Sequence, residues 1–166
     1  MKSQIISDLR GDHGFTAVEA FFTIIILGIM LLISLGGYQN YLRRNNVASN
    51  MHEVMSYLER ARTLSTVSYA DVQYGIHFDA DQYVLFKGPT YTEGAIDNEE
   101  RSLSGFNFVD PQVFSDGQGG TTEDVFFTSL SGMTTNTGTI RLESNADSSI
   151  FRLLTINDLG SVAVQQ

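Results

Sequence analysis

The chain has 166 residues, a formal net charge of −9 and no cysteine. Without a thiol, disulfide bonds, thiolate metal sites and cysteine nucleophiles are excluded. After the long apolar segment, about 100 residues remain, which is enough for one small domain with a modest core but not for two.

Residues 20–42 form an uncharged and mainly apolar run of 23 residues. As a helix rising about 1.5 Å per residue, this run would cover roughly 35 Å, whereas a hydrocarbon core is about 30 Å thick. The apolar region of a signal peptide is usually about 7 to 15 residues long and ends at small residues. We therefore expect a membrane-spanning helix. The better position for a cut lies before it, between Gly14 and Phe15.

A short motif leads into the apolar run, and its order is Gly14, Phe15, Thr16, Ala17, Val18 and Glu19. It resembles the processing motif of type IV prepilins and pseudopilins, in which a glycine, an aromatic residue, a threonine and two apolar residues precede a glutamate. The resemblance implies that a prepilin peptidase removes a leader of residues 1–14 and that the new amino group on Phe15 is methylated. It also implies an α+β, lollipop-like pilin fold. The membrane-spanning half of its long N-terminal helix would cover 15–42, and the amphipathic half would pack on a small antiparallel β-sheet head.

Glu19 is a carboxylate at the edge of a membrane segment, where an ionisable group suggests a function because burying it costs free energy. In a filament built from N-terminal helices, its natural partner is the positive amino group of Phe15 on a neighbouring subunit. An axial offset of one subunit would leave both charges unpaired, so this pair would set the register. The alternative is a glutamate stabilised by the dipole at a helix N-terminus. The motif favours the register role.

Three glycines interrupt the apolar run: Gly28, Gly36 and Gly37. Each costs a helix interior about 1 kcal/mol relative to alanine, so the segment that they bracket should unwind easily. In the pilin family a glycine and a proline commonly flank a stretch that loses helicity in the fibre, and here Gly36 stands where the proline is often found. The alternative is that the glycines allow close helix packing.

The amphipathic half of the helix is predicted over 43–66, and the whole helix over 15–66. Its apolar positions recur at spacings of four, three, four and three, which is typical of one helix face that contacts a core. They are Val47, Met51, Val54, Leu58 and Ala61. Glu59 and Arg62 are three residues apart, close enough for a weak surface ion pair.

The head, residues 67–166, is predicted to contain about seven strands. Alternating side chains predict a hairpin of 72–78 with 82–87, followed by a polar loop over 88–102. Further strands are predicted at 103–109, 124–130, 139–143, 150–156 and 161–164. This C-terminal arrangement resembles that of minor pilins and pseudopilins of the GspH/FimT type.

Charge limits the partners of the head, because residues 67–166 contain four basic and fourteen acidic residues. Such a head repels phosphate, so we expect no DNA binding. Arg43 and Arg44 directly follow the apolar run and can meet the headgroups of a lipid bilayer. The positive-inside count does not favour a cytoplasmic N-terminus, so the orientation rests on the resemblance alone.

Two acidic loops raise the question of calcium. Their carboxylates are Glu93, Asp97, Glu99 and Glu100 in one loop, and Asp110, Asp116, Glu123 and Asp124 in the other. Neither loop has the ligand order of an EF-hand, so we prefer solvated loop charge and expect no metal or other cofactor. The histidines, His13, His52 and His77, are scattered, and no catalytic motif is present, so we expect no enzyme.

Together these patterns predict a minor structural subunit of a type IV pilus or a type II secretion pseudopilus. Its partners would be other pilin or pseudopilin subunits, the prepilin peptidase, the inner-membrane assembly platform and the bilayer. Before processing, the N-terminus would be cytoplasmic and the head exported; assembly would place the chain in a periplasmic or extracellular filament. The alternatives are a filament-tip binding module for DNA uptake, adhesion or secreted cargo, and a plain single-pass anchored protein in which Gly14 and Phe15 are a coincidence.

Overall fold

The computed structural model describes residues 15–68, 71–111 and 113–165, with the backbone alone at 34–36. The chain divides into two compact units, with the division between Asn40 and Tyr41. The predicted leader, with Gly14 and His13, lies outside the described residues. The predicted boundaries at 42/43 and 66/67 stay predictions.

One helix, α1, runs from Ala17 to Val67. It begins two residues later and ends one residue later than the prediction of 15–66. In the second unit, the predicted apolar face is confirmed, because all five of its residues are completely buried: Val47, Met51, Val54, Leu58 and Ala61. Ser65, four residues further along, is also fully buried and extends the same face.

Ten strands follow in the described part of the second unit. They are β1 (Tyr74–Phe78), β2 (Gln82–Lys87), β3 (Glu99–Ser102), β4 (Phe106–Val109), β5 (Phe114–Ser115), β6 (Thr121–Thr122), β7 (Asp124–Phe127), β8 (Gly138–Ser144), β9 (Asp147–Ile156) and β10 (Val162–Gln165). The strand orders are β3-β2-β1-β7 in the first sheet, β10-β9-β8-β4 in the second, and β5-β6 in a two-stranded ladder. Every pairing is antiparallel.

A single core joins α1 to both four-stranded sheets. In this core, Phe78 on β1 contacts two other aromatic rings, with its ring centroid 5.2 Å from that of Phe108 on β4 and 5.3 Å from that of Phe114 on β5. Strands β4 and β7 alternate buried and half-buried side chains, as expected for a sheet with one face on a core. The predicted α+β fold, a long N-terminal helix packed on antiparallel sheet, is confirmed.

Two details of the predicted head are wrong. The described residues contain ten strands rather than about seven. The polar loop ends earlier than predicted, because Glu99–Ser102 form β3 and pair with β2. This strand has the sequence Glu-Glu-Arg-Ser, so no apolar alternation announced it; the open edge of β2 supplies the hydrogen bonds that make it a strand. Strands β5 and β6 have two residues each, too few for a periodicity.

Candidate functional site

Two of the predicted site residues, Phe15 and Glu19, lie at the N-terminal end of α1, and this end of the helix is capped. The Thr16 hydroxyl accepts a hydrogen bond from the backbone N–H of Glu19 at 3.2 Å, and the Thr16 carbonyl accepts the N–H of Ala20 at 3.1 Å. Thr16 is therefore the N-cap, which explains why the helix begins at Ala17. Threonine followed three residues later by glutamate is the capping-box signature, so the sequence contained a signal for Thr16 that the predictions did not use.

Glu19 has two physical roles open to it. It stands in the first turn, where the helix dipole and the capping box both favour a carboxylate. It also stands four residues from Phe15, whose side chain is 74% exposed. Within one chain the capping role is available at once, whereas the register role needs a second subunit.

The large apolar side chains that the structure describes in the first unit are exposed on every side of the helix. Large residues from Val18 to Ile33 are 40–73% exposed. Among the described residues, α1 is the one helix long and apolar enough to cross a membrane, and none of its most apolar window is buried in the protein. Side chains that are apolar all round need a non-aqueous environment, which a bilayer or a bundle of other helices provides.

The chain is helical through all three predicted unwinding positions, Gly28, Gly36 and Gly37. A Cβ atom added at Gly28 or Gly37 would meet no other atom within 4 Å. Neither glycine is therefore needed for a close contact within this chain. Unwinding concerns the assembled fibre and stays a prediction.

In the second unit, two arginines of α1 attach the helix to the sheets. The guanidinium of Arg60 binds both carboxylate oxygens of Glu99 on β3 at 2.7 Å. The pKa of Glu99 is lowered, mainly by this bidentate hydrogen bond. Both side chains are partly exposed, 47% for Arg60 and 41% for Glu99, so solvent screens the pair.

Arg62 makes the longer-range connection. Its Nε donates to the Gly132 carbonyl at 3.1 Å and its Nη2 to the Leu159 carbonyl at 3.0 Å. One side chain thus joins the helix to the loop after β7 and to the β9–β10 turn. The predicted pair with Glu59 is wrong, because among the described residues no ion pair joins Glu59 to Arg62.

In each of the two acidic loops that raised the question of calcium, one carboxylate is bound within the protein, Asp116 in one and Glu99 in the other. Asp116 accepts hydrogen bonds from the backbone N–H groups of Gln118 and Gly120 at 2.7 and 2.8 Å. These bonds lower the pKa of Asp116, and Glu99 in the other loop is taken by Arg60. Within residues 15–68, 71–111 and 113–165, no group of three histidine or acidic side chains could hold a metal ion.

His77 belongs to a small cluster that the sequence did not predict. Its Nδ1 lies 2.6 Å from the Asp124 carboxylate, and the Tyr91 ring stacks on the imidazole with a centroid distance of 3.9 Å. Strand β7 supplies Asp124 opposite His77 in the register of the sheet. The cluster anchors the loop after β2 to the sheet.

A set of exposed apolar side chains surrounds the end of α1. Leu130 is 71% exposed and has a φ of 64°, a left-handed conformation that is costly for leucine. Leu159 is 57% exposed and Met133 45%. Met133 also lines an open groove of about 570 Å³, whose other walls are mainly threonine and serine.

No protein-family model and no curated protein sequence matches the chain. Among solved structures, the crystal structure of the type IV minor pilin FimU of Pseudomonas aeruginosa strain PAO1 is similar to it, with a TM-score of 0.53 and 14% sequence identity. The match covers 76% of this chain and 92% of that chain. A second crystal form of FimU gives a TM-score of 0.50 at 13% identity and covers 72% of this chain and 92% of that chain. At such low identity the likeness defines the fold: the chain has the α+β fold of a pilin.

Proposed function

We propose that the chain is a subunit of a type IV pilus or of a type II secretion pseudopilus, and that it is structural rather than catalytic. It is made with residues 1–14 as a leader, held in the membrane by residues 15–42, cut after Gly14 and methylated on Phe15. The assembly platform then moves it into a filament with other pilin or pseudopilin subunits. Its head, residues 67–166, is exported.

The observation that carries this proposal is an apolar helix, exposed on every side, that starts at the Gly14–Glu19 motif and belongs to a chain with a pilin-like fold. A bilayer covers such a helix in one state and neighbouring helices cover it in another. An ordinary membrane anchor needs only the bilayer. It therefore accounts for neither the motif nor the pilin-like fold.

A second candidate function, a binding module at a filament tip, is favoured by the exposed apolar residues around the end of α1. Leu130 and Leu159 are displayed on a loop and a turn that Arg62 ties to the helix. Their apolar character fits a protein surface better than DNA, because the head carries too few cations to release counterions from phosphate.

The first test is the mass of the mature N-terminus in protein purified from its native host. A chain that starts at Phe15 and carries one additional methyl group supports the proposal. The encoded start, intact and indifferent to loss of the prepilin peptidase, contradicts it.

The second test separates the two roles of Glu19 by comparing Glu19→Gln with Thr16→Ala. Glutamine keeps the capping box, whereas alanine at Thr16 removes the cap and leaves the Glu19 charge in place. Under the register role, Glu19→Gln leaves the amino group of Phe15 without its partner in an apolar filament core, a loss of about 3 kcal/mol or more. Incorporation should then fall more than about a hundredfold.

The readout is the ratio of protein in sheared filaments to protein in membranes. Membrane insertion and cleavage after Gly14 should persist in both variants, and Glu19→Ala should behave like Glu19→Gln. If Glu19→Gln is incorporated like wild type while Thr16→Ala is impaired, capping explains the need for this segment and the register role is wrong.

A further inference from the structure

Three arginines of the second unit are available to a ligand: Arg43, Arg44 and Arg152. None of them forms an ion pair, with nitrogen and oxygen within 4 Å, with any carboxylate of the described residues. The other four arginines of this unit each bind another element or loop: Arg60 binds Glu99, Arg62 binds Gly132 and Leu159, Arg101 binds Tyr57, and Arg141 binds Ser148. Arg152 donates one N–H to the carbonyl of the adjacent Phe151, and its other guanidinium N–H groups have no partner among the described residues.

The fold brings two of these arginines to one depression. Arg44 on α1 and Arg152 on β9 line a space of about 270 Å³ together with Tyr41, Asn45 and Ala48. No carboxylate lines this space, so two positive charges share it without a counterion from its walls. An anion placed between them would be stabilised by charge-assisted hydrogen bonds, and two guanidinium groups suit the oxygens of a phosphate.

One acidic residue lies close to this group. The pKa of Asp147 is lowered, first by hydrogen bonds from Ser149 and then by the charges of Arg43 and Arg44. The Asp147 carboxylate is already bonded to the Ser149 N–H and hydroxyl at 3.0 and 2.7 Å. It weakens the positive field without occupying the depression.

The position along the chain indicates which anion could reach this depression. Arg43 directly follows Leu42, the last residue of the uncharged run, and Tyr41 is 67% exposed. Tyrosine and arginine at the end of a membrane segment stand at headgroup depth, where an anionic surface attracts arginine. The acidic remainder of the head is repelled by such a surface, so the attraction is confined to this place.

We propose that Arg44 and Arg152 bind the phosphate of an anionic phospholipid headgroup while the chain waits in the membrane, and that Arg43, the residue before Arg44, adds its positive charge. These three residues are called the arginine collar. The inference rests on the proposed function, because residues 20–42 must lie in a bilayer. Arg152 is the informative member. It comes from a strand of the head, over a hundred residues after the apolar run, so a generic effect of charges next to a membrane helix does not involve it.

The test uses the full chain in nanodiscs that contain phosphatidylglycerol and phosphatidylcholine in equal amounts, with native mass spectrometry of the released protein. Wild type should retain phosphatidylglycerol in preference to phosphatidylcholine. Arg152→Gln should lower that preference about fivefold, the equivalent of about 1 kcal/mol. Arg152→Lys should keep more of the preference than Arg152→Gln does, because the charge remains although the fork of the guanidinium is lost.

Two further variants separate binding from folding. Asp147→Asn removes the opposing charge but keeps an oxygen for Ser149, so it should raise the retention of phosphatidylglycerol. Lys87→Gln removes a positive charge from the exposed last residue of β2 and should change nothing.

Equal retention of the two lipids, or a preference that Arg152→Gln leaves unchanged, overturns the arginine collar. Dimers that depend on the collar and carry no lipid also overturn it, because they identify the acidic head of a second copy as the partner. Failure of the chain to enter nanodiscs contradicts the proposed function and the collar together, whereas entry without lipid preference contradicts the collar alone.

Discussion

The attachment of α1 to the sheets in the second unit depends on Arg62 more than on Arg60, although the Arg60 pair has the shorter bonds. Arg62→Gln removes two charge-assisted hydrogen bonds to the carbonyls of Gly132 and Leu159. The bond to Gly132 is partly buried and the bond to Leu159 is exposed. A hydrogen bond to a charged group contributes about 1.5–3 kcal/mol when it is shielded and less in water, so the expected loss is about 2 kcal/mol.

Arg60→Gln is the matched control. It removes a bidentate ion pair with Glu99 at 2.7 Å, but the two side chains are 47% and 41% exposed. Exposed ion pairs contribute less than about 1 kcal/mol, because water and salt screen them and two long side chains lose freedom. The structure therefore predicts that the bidentate pair of Arg60 with Glu99 contributes less to the free energy of unfolding than the bonds of Arg62 to the two carbonyls.

The assay is chemical denaturation of the full chain in a mild detergent, followed by tyrosine fluorescence. The chain has seven tyrosines and no tryptophan, and six of the tyrosines lie at or after Tyr41. The signal thus reports the second unit. Arg62→Lys should fall between wild type and Arg62→Gln, because an ammonium group is a point donor without the fixed fork of a guanidinium. If Arg60→Gln costs as much as Arg62→Gln, the assignment of Arg62 as the main attachment is wrong.

Two further predictions concern acid stability and a close backbone contact. The pKa of Glu99 is lowered in the folded state, so the ionised carboxylate stabilises the fold above its ordinary pKa of 4.5. This contribution to the free energy of unfolding is lost as the pH falls through the lower pKa of the folded state. The free energy of unfolding should therefore decline below about pH 4.5, measured by denaturation across pH. The decline should be shallower in Arg60→Gln, and an equal slope would contradict the link. Gly160→Ala should destabilise more than Gly94→Ala by roughly 1–3 kcal/mol, because its Cβ would collide with the Gly132 carbonyl, whereas Gly94 has a similar φ and open space. Equal unfolding midpoints would show that the backbone there relaxes freely.

Local periodicity accounts for what could be predicted about the fold. The spacing of apolar residues predicted the buried face of α1 residue by residue, from Val47 to Ala61, because a helix turns by a constant angle. Alternation likewise predicted the hairpin of β1 with β2, whose bounds differ from the prediction by two residues at one end. The motif at the helix start was visible as well, although the capping role of Thr16 emerged from its hydrogen bond to Glu19.

Contacts between distant residues account for what could not be predicted. Strand β3 is polar and becomes a strand because β2 offers it an open edge, while Arg60, 39 residues away, binds its Glu99. Arg62 finds its partners 70 and 97 residues further along the chain. A local pattern cannot encode such distances, since the same arginine would look alike on any exposed helix face.

The sequence by itself determined that a long apolar helix leads into an acidic, β-rich head without thiols, because length, composition and period are properties of the chain. Tertiary structure alone decided how that head holds its helix, where His77 meets Asp124 and Tyr91, and which arginines stay open for a ligand. The physical reason is that charges and hydrogen bonds take effect over a few ångströms, and only folding brings such groups within that range.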